Sequence, residues 1–153
     1  MKSREMIIVV GLTVIAGLYS CEKESGENET KISSYNSSES HNTGENCMDC
    51  HKSGKSGEGW FTVAGTVYQE DKSTAYPNAT VKLYTGANET GSLKATLEVD
   101  KKGNFYTTEN IDFSNGLYVS VEGSATTKHM DSSISTGKCN SCHGQNTGVI
   151  WTK

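Results

Sequence analysis

Between residues 60 and 124 the chain alternates apolar and polar positions in short runs. In Ser92 to Val99, Leu93, Ala95, Leu97 and Val99 alternate with Ser92, Lys94, Thr96 and Glu98. That is the period of two expected of a half-buried strand. The runs FTVAGTVY (61–68), ATVKLYT (79–85) and GLYVSVEG (116–123) behave the same way, and 104–108 is a shorter candidate. Turn-forming clusters separate them: Tyr76-Pro77-Asn78, Thr85-Gly86-Ala87-Asn88, Asp100 to Asn104 and Ser114-Asn115-Gly116. No window carries a 3.6-residue apolar stripe. The pattern predicts a mainly β chain folded as a small antiparallel β-sandwich over about 60–124.

The flanks read differently. Met6 to Leu18 is an uncharged run of 13 residues behind the cationic start Lys2 and Arg4, the size of a signal-peptide core and short for a permanent span. It ends in Leu18-Tyr19-Ser20-Cys21, which resembles a bacterial lipobox. The resemblance implies a lipoprotein signal peptide over 1–20, a lipidated Cys21 and a bacterial cell-envelope location facing the periplasm or the exterior. An ordinary signal peptide and an uncleaved anchor are the alternatives, and each exports the rest of the chain. Residues 22–46 are almost entirely polar, so 21–46 reads as a disordered tether, and 47–153 as a single domain.

Composition sharpens this outline. Hydrophobic residues make up only 33% of the chain, so a core built from side chains alone would be thin. Removing Lys2, Arg4 and Glu5 with the signal segment leaves 12 basic and 17 acidic residues, a net charge of −5. That balance, with no basic cluster, argues against nucleic-acid binding. Five cysteines divide as Cys21 for lipid and two pairs.

Each pair belongs to a Cys-x-x-Cys-His motif: Cys47-Met48-Asp49-Cys50-His51 and Cys139-Asn140-Ser141-Cys142-His143. The chemistry needs this spacing, because two thiols add across the two vinyl groups on one haem edge. The histidine that follows reaches the iron as proximal ligand. The motifs use four of the five cysteines and two of the four histidines. They are similar to those of c-type cytochromes, and the resemblance implies two covalently attached haem c groups, with His51 and His143 on iron. Candidate distal ligands are His41, His129 and Met130. Trp60, Phe61 and Trp151 are candidates to pack against the porphyrins. A Cys₄ zinc site or two disulfides are the competing uses of the cysteines, although 87 residues separate His51 from Cys139, far beyond a zinc ribbon's spacing.

The middle of the chain resembles the carboxypeptidase regulatory-like, transthyretin-like β-sandwich family. The resemblance rests on GTVYQEDKSTAYPNATVKLY (65–84), VDKKGNFYT (99–107) with its Asp100, Gly103 and Phe105, and LYVSVEGS (117–124). It implies a scaffold without catalysis. Together these features lead us to expect a membrane-tethered di-haem cytochrome, not an enzyme, exchanging electrons with other redox proteins of an exported chain. A binding or adhesion lipoprotein is the alternative, with zinc or disulfides at its cysteine pairs. A haem peroxidase would need an open iron and flanking acid–base groups, for which few residues remain.

Overall fold

The computed structural model describes residues 28–153. The expected signal peptide, Cys21 and the start of the tether lie outside the described residues. Two sheets form a small β-sandwich. In the first, β1 (Val63–Tyr68) pairs antiparallel with β4 (Asn104–Thr107), placing Gly65 opposite Phe105. In the second, β2 (Thr80–Tyr84) lies between β3 (Leu93–Glu98) and β5 (Tyr118–Glu122), and β6 (Thr127–His129) extends it beyond β5. Val63, Val67 and Phe105 of the first sheet meet Val81, Leu83, Leu97, Val119 and Val121 of the second. Each such burial contributes about 1.5–3 kcal/mol relative to exposure.

All five runs expected as strands form strands, each trimmed by one to three residues. One expectation fails within β3. Leu93 is 51% exposed, although the alternation of Ser92–Val99 puts it with Leu97. A register shift between Leu83 and Tyr84 is the reason: Leu83 faces Ala95, but Tyr84 faces Leu93. This irregularity moves Leu93 onto the outward face that Tyr84 occupies.

The turn between β3 and β4 follows from Asp100. One of its carboxylate oxygens accepts the N–H groups of Lys102 (2.9 Å) and Asn104 (3.0 Å), and Gly103 adopts a φ of +81° that a side chain would resist.

Residues 28–46 are not a free tether. Ile32 bridges Thr107, Ser33 N–H donates to Tyr106 O at 2.9 Å, and Thr108 N–H donates to Lys31 O at 2.9 Å. The segment thus covers the open edge of β4. Counting apolar side chains misses this because main-chain pairing and polar side-chain contacts, such as Ser33 Oγ to Glu98 O and Asn104 Nδ2 to Ser40 Oγ, hold the segment there.

The other edge of β1 is filled twice. Both β7 (Gly137–Lys138) and β8 (Ile150–Trp151) run parallel to β1. The first pairs at Val63 and Ala64, the second at Val67 and Tyr68. Opposite Gly65 and Thr66 the strand is interrupted, and residues 139–149 leave it as a loop. Strands of two or three residues are too short to give a periodic signal, so β6, β7 and β8 were not foreseeable from alternation.

Candidate functional site

The two Cys-x-x-Cys-His segments fold alike. Each opens with a single 3-10 turn, Cys47–Asp49 and Cys139–Ser141. In the first, Cys47 O accepts the N–H groups of Cys50 (3.2 Å) and His51 (2.9 Å); in the second, Cys139 O accepts those of Cys142 (3.2 Å) and His143 (3.0 Å). Burial follows the same sequence in both: the first cysteine half-buried, the residue after it buried, the second cysteine exposed, the histidine half-buried. All four thiols are unbonded.

The histidines are oriented alike too. Nδ1 of His51 lies 2.9 Å from Glu58 O, and Nδ1 of His143 lies 2.8 Å from Gly148 O. A carbonyl only accepts, so Nδ1 carries the proton in both rings and Nε2 keeps its lone pair. This is the tautomer that a metal-binding histidine needs, held by the second hydrogen bond that typically fixes such a ring. Phe61 stacks on His51 at 4.2 Å, and Tyr106 stacks on Phe61 at 4.8 Å. Gly57 lets the chain pass close by, since a Cβ there would lie 2.8 Å from the His51 ring and from Cys50 O.

The surroundings differ. The first motif lies against the outer face of β1, where Met48 packs with Phe61 and Ala64, beside Tyr106. The second is the loop that interrupts the edge of β1. Here Asn140, buried in the turn, takes the place of the missing strand. Its Oδ1 accepts Thr66 N–H at 3.1 Å, and its Nδ2 donates to Thr66 Oγ1 and to Glu45 O, both at 3.0 Å. Thr66 Oγ1 in turn accepts Gly44 N–H at 3.0 Å and donates to Asn104 at 2.7 Å. Segments 95 residues apart in the chain are therefore joined by one buried polar network. Burial pushes the Cys139 thiol up to about 12, with the Cys47 and Cys142 thiols adding to the effect. Burial also raises the Cys47 thiol, and the buried Asp100 carboxylate adds to that.

A cavity of about 570 Å³ opens beside the second motif, within the range of small-molecule and cofactor pockets. Cys139, Cys142 and His143 border it together with His129, Met130 and Trp151. Lys128 Nζ sits 4.1 Å from the centre of the Trp151 ring. The structure thus gathers His129 and Met130 at His143, and His41 at His51, with ring centroids 5.6 Å apart. Phe61 reaches the first motif and Trp151 the second. Trp60 does not: it is 40% exposed, and its N–H donates to Asn28.

Asn140, Thr66 and Gly65 were missed by sequence reasoning. The variable positions inside the motif carry no chemical signal, and the partner of Asn140 is fixed only by the fold. Gly65 is required where the second motif crosses β1, since a Cβ there would lie 2.5 Å from the Phe105 ring and 2.9 Å from the Cys139 Cβ. Among the described residues no three His, Cys, Asp or Glu side chains converge to hold a metal ion by themselves. Comparison with protein-family models, curated proteins and solved structures finds no match to this chain.

Proposed function

We propose that the protein is a di-haem c-type cytochrome that transfers electrons in the cell envelope and catalyses no reaction of its own. The observation that carries this reading is the duplicated geometry: two identical turns, each presenting two thiols and a histidine whose Nδ1 is tied to a carbonyl and whose Nε2 is free. Cys47 and Cys50, and likewise Cys139 and Cys142, would form the thioether links, while His51 and His143 would take the irons as proximal ligands. Haem supplies one-electron chemistry when bound. The chain's share is attachment, tautomer control and exclusion of water on the cavity side.

The residues present fit the group. The second cysteine of each pair is exposed, and so open to attachment chemistry, whereas the first is partly buried and anchors the turn. The cavity at His143 is bordered by Val119, Val121, Phe105 and Ile150, which suit a porphyrin face. Lys128 and Lys138 at its margin suit the two propionates. A Cys₄ zinc site would need four sulfurs converging, and no such cluster forms among the described residues. The sandwich is the scaffold, Cys21 the lipid anchor, and other exported redox proteins the partners.

Expression in a bacterium with the haem-attachment machinery tests the reading. Pyridine haemochrome quantification of the purified chain should give two haems that survive boiling in detergent. A colourless protein from that host overturns the proposal.

A further inference from the structure

We infer that the two sites have different sixth ligands: His41 at the first, opposite His51, and Met130 at the second, opposite His143. The inference rests on the di-haem reading. Among the described residues the histidines and methionines outside the two proximal positions are His41, His129, Met48 and Met130. Met48 is buried against Phe61 and Ala64 on the outer face of β1, which removes it. His41 stands beside His51 at a centroid separation of 5.6 Å, wider than the 4.2 Å stack of His51 on Phe61. It is held there because Asn104 Nδ2 donates to His41 O at 3.3 Å and to Ser40 Oγ at 2.9 Å.

Strand parity separates His129 from Met130. Paired residues of neighbouring strands share a face, and successive residues alternate. Val119 and Val121 of β5 face the core. Lys128 pairs with Val121 and so lies on that side, as does Met130, whose N–H donates to Val119 O at 2.9 Å. Met130 is half-buried against the core cluster. His129 instead pairs with Ser120, whose hydroxyl donates to Glu89 at 2.7 Å on the opposite face. His129 is exposed, although it too borders the cavity. Parity thus puts Met130, and not His129, on the side of the sheet where Val119 and Val121 border the cavity.

The consequence is a pair of unequal sites. Thioether ligation sets a higher potential than a second imidazole. The charges point the same way: Asp100, buried with one carboxylate oxygen that has no hydrogen-bond partner among the described residues, acts on the Cys47 thiol of the first site, and Lys128 and Lys138 border the second.

The test uses the full-length holoprotein, with haem content measured beside its near-infrared and electron paramagnetic resonance spectra. Two haems should come with one thioether-to-ferric charge-transfer band and a redox titration in two separate steps. Met130→Leu, which keeps the volume, should abolish the band, turn one haem high-spin and lower the upper step. Met130→His should restore the low-spin state without the band. His41→Ala should turn the other haem high-spin and leave the band, and His129→Ala should change neither. A two-haem protein without the band, or a band that survives Met130→Leu, or a low-spin signal lost in His129→Ala, overturns the inference while leaving the di-haem reading intact. A chain without haem overturns both.

Discussion

The two Cys-x-x-Cys-His segments have the same turn, the same pattern of burial and the same histidine tautomer, yet they are held by opposite means. The first is fixed by apolar packing: Met48 is buried among Phe61, Ala64 and Cys47. The second is fixed by polar substitution: Asn140 fills the gap in an edge strand and satisfies the backbone of β1. The difference teaches that the motif specifies only its own loop. Whichever residue stands after the first cysteine is recruited as the anchor the local surroundings require.

The strongest way to break the symmetry is to remove one attachment site. Cys139→Ser with Cys142→Ser should leave a single haem per chain by pyridine haemochrome, and Cys47→Ser with Cys50→Ser should do the same from the other side. Next come the anchors. Asn140→Leu strands the buried Thr66 N–H and removes a donor from Glu45 O, and should cost about 3 kcal/mol in denaturant unfolding. Met48→Ala should cost about 2–3 kcal/mol through a cavity at the first motif. If the two anchors act in one network, their effects will fail to add in the double variant.

The glycines that flank the histidines offer a finer contrast. A Cβ at Gly57 meets the His51 ring and Cys50 O at 2.8 Å, while one at Gly148 meets nothing within 4 Å. Gly57→Ala should cost about 1–3 kcal/mol and perturb one haem's spectrum, whereas Gly148→Ala should stay within about 0.5 kcal/mol. Equal effects from the two would remove the claimed difference in packing.

The smallest effect concerns the thiols of protein made without haem. Burial holds the folded Cys139 thiol at about 12 against an ordinary 9.0. The folded state therefore keeps a proton that the unfolded chain releases. Its contribution to stability is present below pH 9.0 and is lost as the pH rises from there towards 12. At mildly alkaline pH an alkylating reagent should label the exposed Cys50 and Cys142 well before Cys139. Thioether formation removes the titrating proton, so the holoprotein should lack this alkaline loss.

Much of the frame was legible in advance. Alternation located the five long strands because side chains on a pleated strand must sort to two faces, and the Asp100–Gly103 turn followed from one carboxylate and one glycine. Residues 28–46 were misjudged because their order comes from backbone pairing to β4 at 31–33 and from polar side-chain hydrogen bonds beyond it, to which apolar composition is blind. Leu93 was misjudged because a register shift, invisible in a single strand, changed its face.

The sequence by itself determined the strands, the core side of most of them, and the two Cys-x-x-Cys-His loops. All of these depend on residues within a few positions of each other. Tertiary structure alone decided that the two motifs lie against the same strand, that Asn140 joins them, and that Met130 packs against the core while His129 stays exposed. Those outcomes depend on which backbone edges are left unpaired once the sheets form, and an unpaired edge is a property of the assembled sandwich.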